Sequence, residues 1–367
     1  MSHGPADLIK EGTTEFFVYT RKTSVKGPSV RGNAPFYNPA MELNRDVSVL
    51  VYQWLVMKST QHVHILDGLA ASGVRGIRLA HELSGDFEVS INDWNDESIA
   101  LIQQNIQRNQ VKNVSVFQRD LGCLLLERRY HAIDIDPFGS PVYFFDAAVR
   151  SVYNKGIIAC TATDTAALCG VFPEVCFRRY AAWPLHGPSM HEVGLRILLG
   201  CLCREAAKYD RGIEPVLCYT TDHYFRLYVQ VHNGKSAANA SMAHYACIPA
   251  KDIPLSPRTS CMIGPLWLGK LQNKTAVQEI RSLASTRELH TKHQIWRLLD
   301  FLEEEADAPA FFYTINDLSS SLKVSPPTMA HIIERLKNKG YLATRTHCTP
   351  TGFKTNAPGD VVAEVFK

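Results

Sequence analysis

Residues His131 to Pro141 read HAIDIDPFGSP, an apolar run that ends in a carboxylate, a proline and an aromatic ring. That order suits one kind of chemistry. An amine that is part of a nucleobase or an amide has a delocalised lone pair and is a poor nucleophile, so a catalyst has to hold it and aim it. A carboxylate oxygen of Asp136 and a backbone carbonyl of Asp136 or Pro137 can accept both amino hydrogens, and the proline stiffens the turn that presents them. Phe138 offers a face on which a planar base can stack, worth ~1–3 kcal/mol per base. Alignment and electrostatics then supply most of the rate. A plain strand-ending turn beside a core phenylalanine would carry the same letters, so the surrounding elements must decide.

From about Val63 to Val231 short β-branched runs alternate with amphipathic stretches, the pattern of successive βα units in a parallel sheet. The strands read VHILDG, FEVSINDW, VSVFQRD, YHAIDIDPF and GIIACTATD, then PVLCYTT and YFRLYVQV. Helices are expected over GVRGIRLAHEL and over DESIALIQQNIQRNQ, with Ile99, Ile102 and Ile106 as the apolar face of the second. Only Asp222 and His223 separate the last two strands, too few for a crossover helix, so these pair as an antiparallel hairpin. A mostly parallel sheet finished by one such hairpin is the pattern of a class I methyltransferase rather than of a dinucleotide dehydrogenase.

The carboxyl ends of the first three strands carry Asp67, Asp93 and Asp120, and ligands of open α/β sheets bind at such ends. The turn after Asp67, LDGLAASGVRGIR, is not a clean G-x-G-x-x-G, because Leu69, Ala70 and Ala71 fill its middle. A pyrophosphate needs close backbone approach there, whereas S-adenosylmethionine carries no phosphate, so the departure favours S-adenosylmethionine over NAD. Asp93 can accept both ribose hydroxyls, Asp120 the adenine amino group, and the Leu121 amide can meet a ring nitrogen. Each acid alone would pass for a helix cap; jointly they form a shelf for a cofactor. Ahead of the sheet, NAPFYNPAMELNRD is a shaped loop leading into a helix that runs through Trp54. Its Phe36 can close the other side of a flipped base and its Arg45 can hold the cofactor's carboxylate, unless the two are a hydrophobic staple and a helix-dipole partner.

After Asn233 the texture changes: NGKSAANAS resembles a linker, giving domains 1–232 and 233–367. The second, a smaller α+β domain, contains the helix HTKHQIWRLLDFLEEE and a helix-turn-helix-like pair. In that pair INDLSSSL comes first; Ser325 is the expected N-cap of the next helix, with Pro326 at its first position and Gly340 at its end. Met329, Ile332, Ile333 and Leu336 form its buried stripe. Arg335, Lys337 and Lys339 can face a phosphate backbone, or simply form a solvated face, and Tyr341 to Thr355 can form a wing.

The 367 residues suffice for two domains, and 20% charged with 46% hydrophobic residues is ordinary globular composition. No apolar run approaches the ~18 residues of a membrane span, and the N-terminus, MSHGPADLIKEG, has no hydrophobic signal segment. A cytoplasmic, monomeric protein with no membrane partner is expected. The ten cysteines lie mostly in apolar segments, as buried reduced thiols do, and a net charge of +3 neither announces nor forbids a nucleic-acid partner.

With these residues in view, the chain resembles the tRNA guanine-26 N2-dimethyltransferase family through FYNPAMELNRD, LDGLAASGVRGIR, IDPFGSP, CTATDTAALCG, HEVGLRIL and IGPLWLG. The likeness spans nearly the whole chain and is closer to the archaeal members. It implies transfer of one and then a second methyl group from S-adenosylmethionine to the N2 amine of guanine 26 in tRNA. It further implies Asp136 as catalytic carboxylate, Phe36 and Phe138 around the guanine, and Arg45, Arg75, Asp93, Asp120 and Leu121 at the cofactor. One departure concerns metal: where many relatives resemble a zinc ribbon of two C-x-x-C pairs, this chain has CIPA and CMIG. Cys247 and Cys261, even with His244, make an incomplete set, so no structural zinc is expected and packing around Trp267 and Leu268 must hold the segment. Two alternatives stay open. One is an amino-methyltransferase of adenine or cytosine in DNA, although most of those would show D-P-P-F. The other is a non-catalytic nucleic-acid-binding protein that uses its C-terminal winged helix.

Overall fold

The computed structural model describes residues 6–19, 35–221, 223–256 and 261–367; Asn33 of the N-terminal loop and Asp222 of the hairpin lie outside them. The central sheet contains β1 (Val63–Asp67), β2 (Phe87–Asp93), β3 (Val114–Gln118), β4 (Tyr130–Ile135), β5 (Val152–Ala162), β6 (Arg211–Thr220) and β7 (Phe225–Asn233). Their order is β3-β2-β1-β4-β5-β7-β6. β1 pairs parallel with β2 and β4, β2 pairs parallel with β3, and β6 pairs antiparallel with β7. This is the expected parallel sheet with a terminal hairpin, a Rossmann-like α/β fold. The register of the hairpin shifts between Pro215 and Leu217, as a strand must where proline supplies no N–H to the ladder. Val63, Ile65, Leu66, Ala132, Ile133 and Ile157 to Cys160 are all buried, the near-continuous apolar reading of strands covered on both faces.

Four helices position the site: α1 (Glu42–Lys58), α2 (Val74–Glu82), α3 (Asp96–Asn109) and α4 (Leu121–Glu127). Each of the last three begins where its sequence favours a start. Gly73 adopts a left-handed φ of 77° ahead of α2, and a Cβ there would lie 2.7 Å from Ile102 Cγ1. Asn95 caps α3 by accepting from the Glu97 and Ser98 amides, and Asp120 caps α4 by accepting from Cys123. The buried face of α3 differs from the expected isoleucine stripe. Ser98, Leu101, Ile102 and Asn105 are buried, whereas Ile99 and Ile106 are half-buried. The cause is an N-terminal hairpin, Asp7–Glu11 with Thr14–Val18, that periodicity did not reveal. Asn105 serves it as a strand would, accepting from the Phe17 amide (2.7 Å) and donating to the Phe17 carbonyl (3.0 Å).

The segment that resembled a linker is a helix, Lys235–Met242. Its small residues allow close packing on β6: Ser241 Oγ accepts from the Ile213 amide and donates to its carbonyl, and a Cβ on Gly212 would meet Ala237 O at 2.3 Å. Further along, helices Ile315–Leu322 and Met329–Asn338 pack with a three-stranded sheet of Tyr313–Thr314, Gly352–Thr355 and Ala343–Arg345. Ile315, Leu318, Ile332, Leu336 and Phe353 form the core of this winged-helix arrangement, with Met329 and Ile333 at its margin. Ser325 is not the N-cap. The second helix starts at Thr328, which accepts from the His331 amide, because Ser325 and Pro326 each precede a proline and are held out of helical geometry. Of the three cations expected to face phosphate, Arg335 donates to Val365 O and Lys339 to Glu364.

The described chain divides into two compact units that interleave along the sequence. One holds the chain through Asp136 with Ala147–Ala159 and Glu279–Trp296; the other holds Pro137–Asp146, Cys160–Gln278 and Arg297–Lys367. No helix among the described residues is long and apolar enough to cross a membrane. Asn105→Ala leaves the Phe17 amide and carbonyl without their partner; we expect a loss of about 1–3 kcal/mol, read from the urea midpoint, with earlier proteolysis in the N-terminal hairpin.

Candidate active site

The site grows from the ends of β1, β2 and β4. Asp67 closes β1 in register with Asp134 of β4, and both are buried; Asp136 follows β4 with its side chain about a quarter exposed. Three carboxylates thus surround one guanidinium. Arg75, on the first turn of α2, pairs with Asp136 Oδ2 through Nη2 and lies 3.6 Å from Asp134 Oδ1. Its Nη1 donates to Asn44 Oδ1 (2.8 Å) and Ser48 Oγ (2.6 Å) on α1. Tyr52, one turn on from Ser48, donates its hydroxyl to Asp134 Oδ2 at 2.7 Å. Asn44, Ser48, Tyr52 and Asp134 escaped the sequence reading. The only trace of Asp134 was the first aspartate in IDID, two residues ahead of Asp136, and nothing marks the α1 residues except their i, i+4, i+8 spacing on one helix face.

Burial pushes the Asp67 carboxyl up to about 7, with Asp134 and Asp136 adding to the rise and Arg75 opposing it. Its Oδ2 accepts from the Gly76 amide at 2.8 Å. Asp93 is also engaged by the turn, accepting from the Ala71 amide (2.8 Å) and, through its other oxygen, from Asn95 (3.0 Å). Further amides of the turn are taken as well: Gly68 donates to Asp134 O, Ala70 to Asn92 O and Gly73 to Ala70 O. A turn whose N–H groups are spent internally does not offer them to a pyrophosphate, in accord with its departure from the dinucleotide motif. Asp120 is exposed at the head of α4, and Leu121 beside it is buried, its methyls 2.9–3.0 Å from where a Gly68 Cβ would lie. The donor set therefore fits S-adenosylmethionine: carboxylates in excess of guanidinium suit a sulfonium cation, and Asp93 and Asp120 are acceptors for hydroxyl and amino groups.

Arg45 is placed differently from its expected neighbours. Its guanidinium grips Glu11 of the N-terminal hairpin, Nε to Oε2 at 2.8 Å and Nη2 to Oε1 at 2.5 Å, and donates to Asn38 O. It also lies over the Tyr37 ring, whose hydroxyl donates to the same Glu11. Burial alone would raise the Glu11 carboxyl, but Arg45 and Arg78 outweigh it and hold it below the usual range. Phe36, half-buried, stands just before this cluster. In the second unit, Pro137 and Phe138 begin the loop that leaves Asp136, and Phe138 is 50% exposed. That loop is pinned by reciprocal bonds: Gly139 N donates to Thr163 Oγ1 (2.8 Å) and Thr163 N to Gly139 O (2.9 Å). Asp164, next along, accepts from Tyr180 and Arg179. Cys247 and Cys261 are exposed on or beside the paired strands Tyr245–Pro249 and Met262–Trp267, which are held by buried Leu266 and Trp267 and by Arg196 donating to Trp267 O and Gly269 O.

The raised Asp67 carboxyl has a consequence for stability. A carboxyl whose folded pKa exceeds its unfolded value retains its proton longer in the folded state, so its contribution to stability declines as pH rises from about 4 to 7. Asp67→Asn removes that decline. Thermal denaturation across this window should show the variant gaining on the parent with rising pH, by ~2–4 kcal/mol in total; a constant offset would contradict the assignment.

A family model described as N2,N2-dimethylguanosine tRNA methyltransferase matches residues 18–367. The tRNA (guanine(26)-N(2))-dimethyltransferase of Pyrococcus furiosus is 39% identical over 386 residues, 98% of this chain and 98% of that one. Its namesake from Methanobrevibacter smithii is 34% identical over 359 residues, 92% of each. Among solved structures, Trm1 from Pyrococcus horikoshii in complex with S-adenosyl-L-methionine superposes with a TM-score of 0.87 at 35% identity, covering 98% of this chain and 100% of that one. A matching family model, full-length relatives and a shared three-dimensional structure agree, and this chain belongs to the N2,N2-dimethylguanosine tRNA methyltransferase family.

Proposed function

We propose that this chain is a tRNA (guanine-N2-)-dimethyltransferase that places one and then a second methyl group on the N2 amine of guanine 26. The observation that carries the reading is the Asp136 carboxylate at the end of β4, fixed by Arg75 beside the Asp67–Gly76 turn, in a chain of this family. S-adenosylmethionine, when bound, supplies an electrophilic methyl group on a sulfonium sulfur. Asp93 and Asp120 are assigned to its hydroxyl and amino groups, Leu121 to the adenine ring through its amide, and Asp67, Arg75 and Arg45 to the end that carries the charged amino acid. Because Arg45 is already bonded to Glu11, we assign it a supporting share and Arg75 the larger one.

The chain's own residues account for the rest of the chemistry. Arg75 orients the Asp136 carboxylate through Oδ2, leaving Oδ1 to accept from the guanine amine. A backbone carbonyl of Asp136 or Pro137 takes the second amino hydrogen, so the nitrogen is aimed rather than free to rotate. Asp136 is also placed to receive the proton that the nitrogen sheds as its new bond forms. Phe138 and Phe36 are the aromatic faces assigned to the extruded base. Residues 233–367, with exposed Lys337 on the Met329–Asn338 helix, are assigned to holding the tRNA, and the enzyme is expected to work as a cytoplasmic monomer without zinc at Cys247 and Cys261.

Incubation with radiolabelled S-adenosylmethionine and either unmodified tRNA, tRNA bearing adenosine at position 26, or duplex DNA tests the reading. Label is expected only in the first, and digestion with mass spectrometry should return dimethylguanosine; label in DNA alone, or none at all, would overturn it. Asp136→Asn should lower kcat by about 10²–10⁴-fold while cofactor and tRNA affinities stay near the parent's. Phe138→Ala should reduce kcat/KM by roughly 5–150-fold, the equivalent of ~1–3 kcal/mol of stacking.

A further inference from the structure

At the amino ends of the strands, away from the carboxyl ends that form the active site, a second cluster of ligating groups is assembled. His62 and His64 alternate along the chain into β1 and so share one face. β2 runs parallel beside it in the register His64 to Glu88, and the Asp86 carbonyl accepts from the Val63 amide. The result is two rungs, His62 beside Asp86 and His64 beside Glu88. His62 Nδ1 lies 2.6 Å from Asp86 Oδ1, His62 Nε2 lies 3.9 Å from Glu88 Oε2, and His64 Nδ1 lies 2.8 Å from Glu88 Oε1. The imidazoles are 4.9 Å apart between centroids, and one ligand atom from each of His62, His64 and Glu88 falls within 4.8 Å of the others.

From this geometry we infer a divalent transition-metal site, of zinc type, formed by His62, His64 and Glu88. Two imidazoles and a carboxylate are a known zinc set with a fourth position left for water, and metal–ligand distances of ~2.0–2.2 Å place tetrahedral ligand atoms about 3.4 Å apart. The spacings here bracket that value, so small side-chain rotations close the site. The outer partners are already in place. Asp86 accepts the Nδ1 proton of His62, which leaves Nε2 with its lone pair directed toward Glu88, the carboxylate–histidine–metal arrangement. On the other side of β1, His131 accepts the His64 backbone amide at its Nδ1, which puts its own proton on Nε2 and excludes His131 as a ligand in this tautomer. All three ligand side chains are about two-fifths exposed, so an ion can enter from solvent and loss of a side chain does not open the core. A bound ion would cross-link β1 to β2 about 10 Å, three residues of strand rise, below Asp67.

The full chain, with exposed Cys123, Cys247 and Cys261 changed to serine so that thiols do not compete, is stripped with chelator and titrated with zinc chloride by calorimetry. The expected result is one equivalent bound with a rise in Tm. His64→Ala and Glu88→Gln should each weaken binding at least tenfold, Asp86→Asn by about 10–100-fold, and all three should keep the parent's methyl-transfer rate and metal-free Tm, which certifies their folding. Absence of saturable binding below about 1 mM, or equal zinc affinity in His64→Ala, Glu88→Gln and their parent, overturns the site.

Discussion

The guanidinium of Arg75 meets Asp134 and Asp136 at the end of β4 and two oxygens of α1, inside a region that also buries Asp67. Three carboxylates drawn this close repel one another, and burial strengthens the repulsion because little water remains to screen it. One cation cannot neutralise all three. The outcome is a partly protonated Asp67 and an oriented Asp136, a region tuned to welcome positive charge. In the proposed reaction, orientation of Asp136 and preference for a cationic cofactor rest on the same ion cluster, and the helix that carries Asn44, Ser48 and Tyr52 is its scaffold as much as part of the core.

The same logic operates a few residues away with its signs rearranged. Glu11 of the N-terminal hairpin lies buried between Arg45 and Arg78, while Arg78 also reaches Asp46 and Glu82. Breaking such a buried pair by removing one partner leaves an uncompensated charge, commonly ~3–5 kcal/mol. This explains why a short two-stranded hairpin, marginal by itself, stays docked on α2 and α3. The same pairing holds Arg45 against Glu11 and the Tyr37 ring, which is why its proposed share at the cofactor is the smaller one.

Much of the fold could be read in the chain because its signals are local. Strand runs rich in Val and Ile, a two-residue hairpin connection and caps at Asn95 and Asp120 are decided within a few residues of themselves. Expectations failed where partners lie far off. Residues 235–242 looked like a linker because small residues suit both loops and tight helix packing, and Gly212 on β6 selects the second. Ile106 gave way to Asn105 as a buried position because a hairpin some 90 residues away needed a hydrogen-bonding partner. Thr328 takes the capping role in place of Ser325 because the two prolines that follow Ser325 hold the preceding backbone out of helical geometry.

By itself, the sequence determined the βα alternation, the acids at three strand ends and the Asp-Pro-Phe turn, since all of these follow from side-chain periodicity and backbone restriction along the chain. It could not determine which cation meets which anion. Arg45 and Arg75 are both arginines near helix starts, and only the folded chain gives the first to Glu11 and the second to Asp136. Nor could it show that His62, His64 and Glu88 meet across neighbouring rungs on one face of the sheet, because strand register is fixed by pairing between segments more than 20 residues apart. Charge pairing and ligand clustering act through space, at distances that sequence separation does not encode.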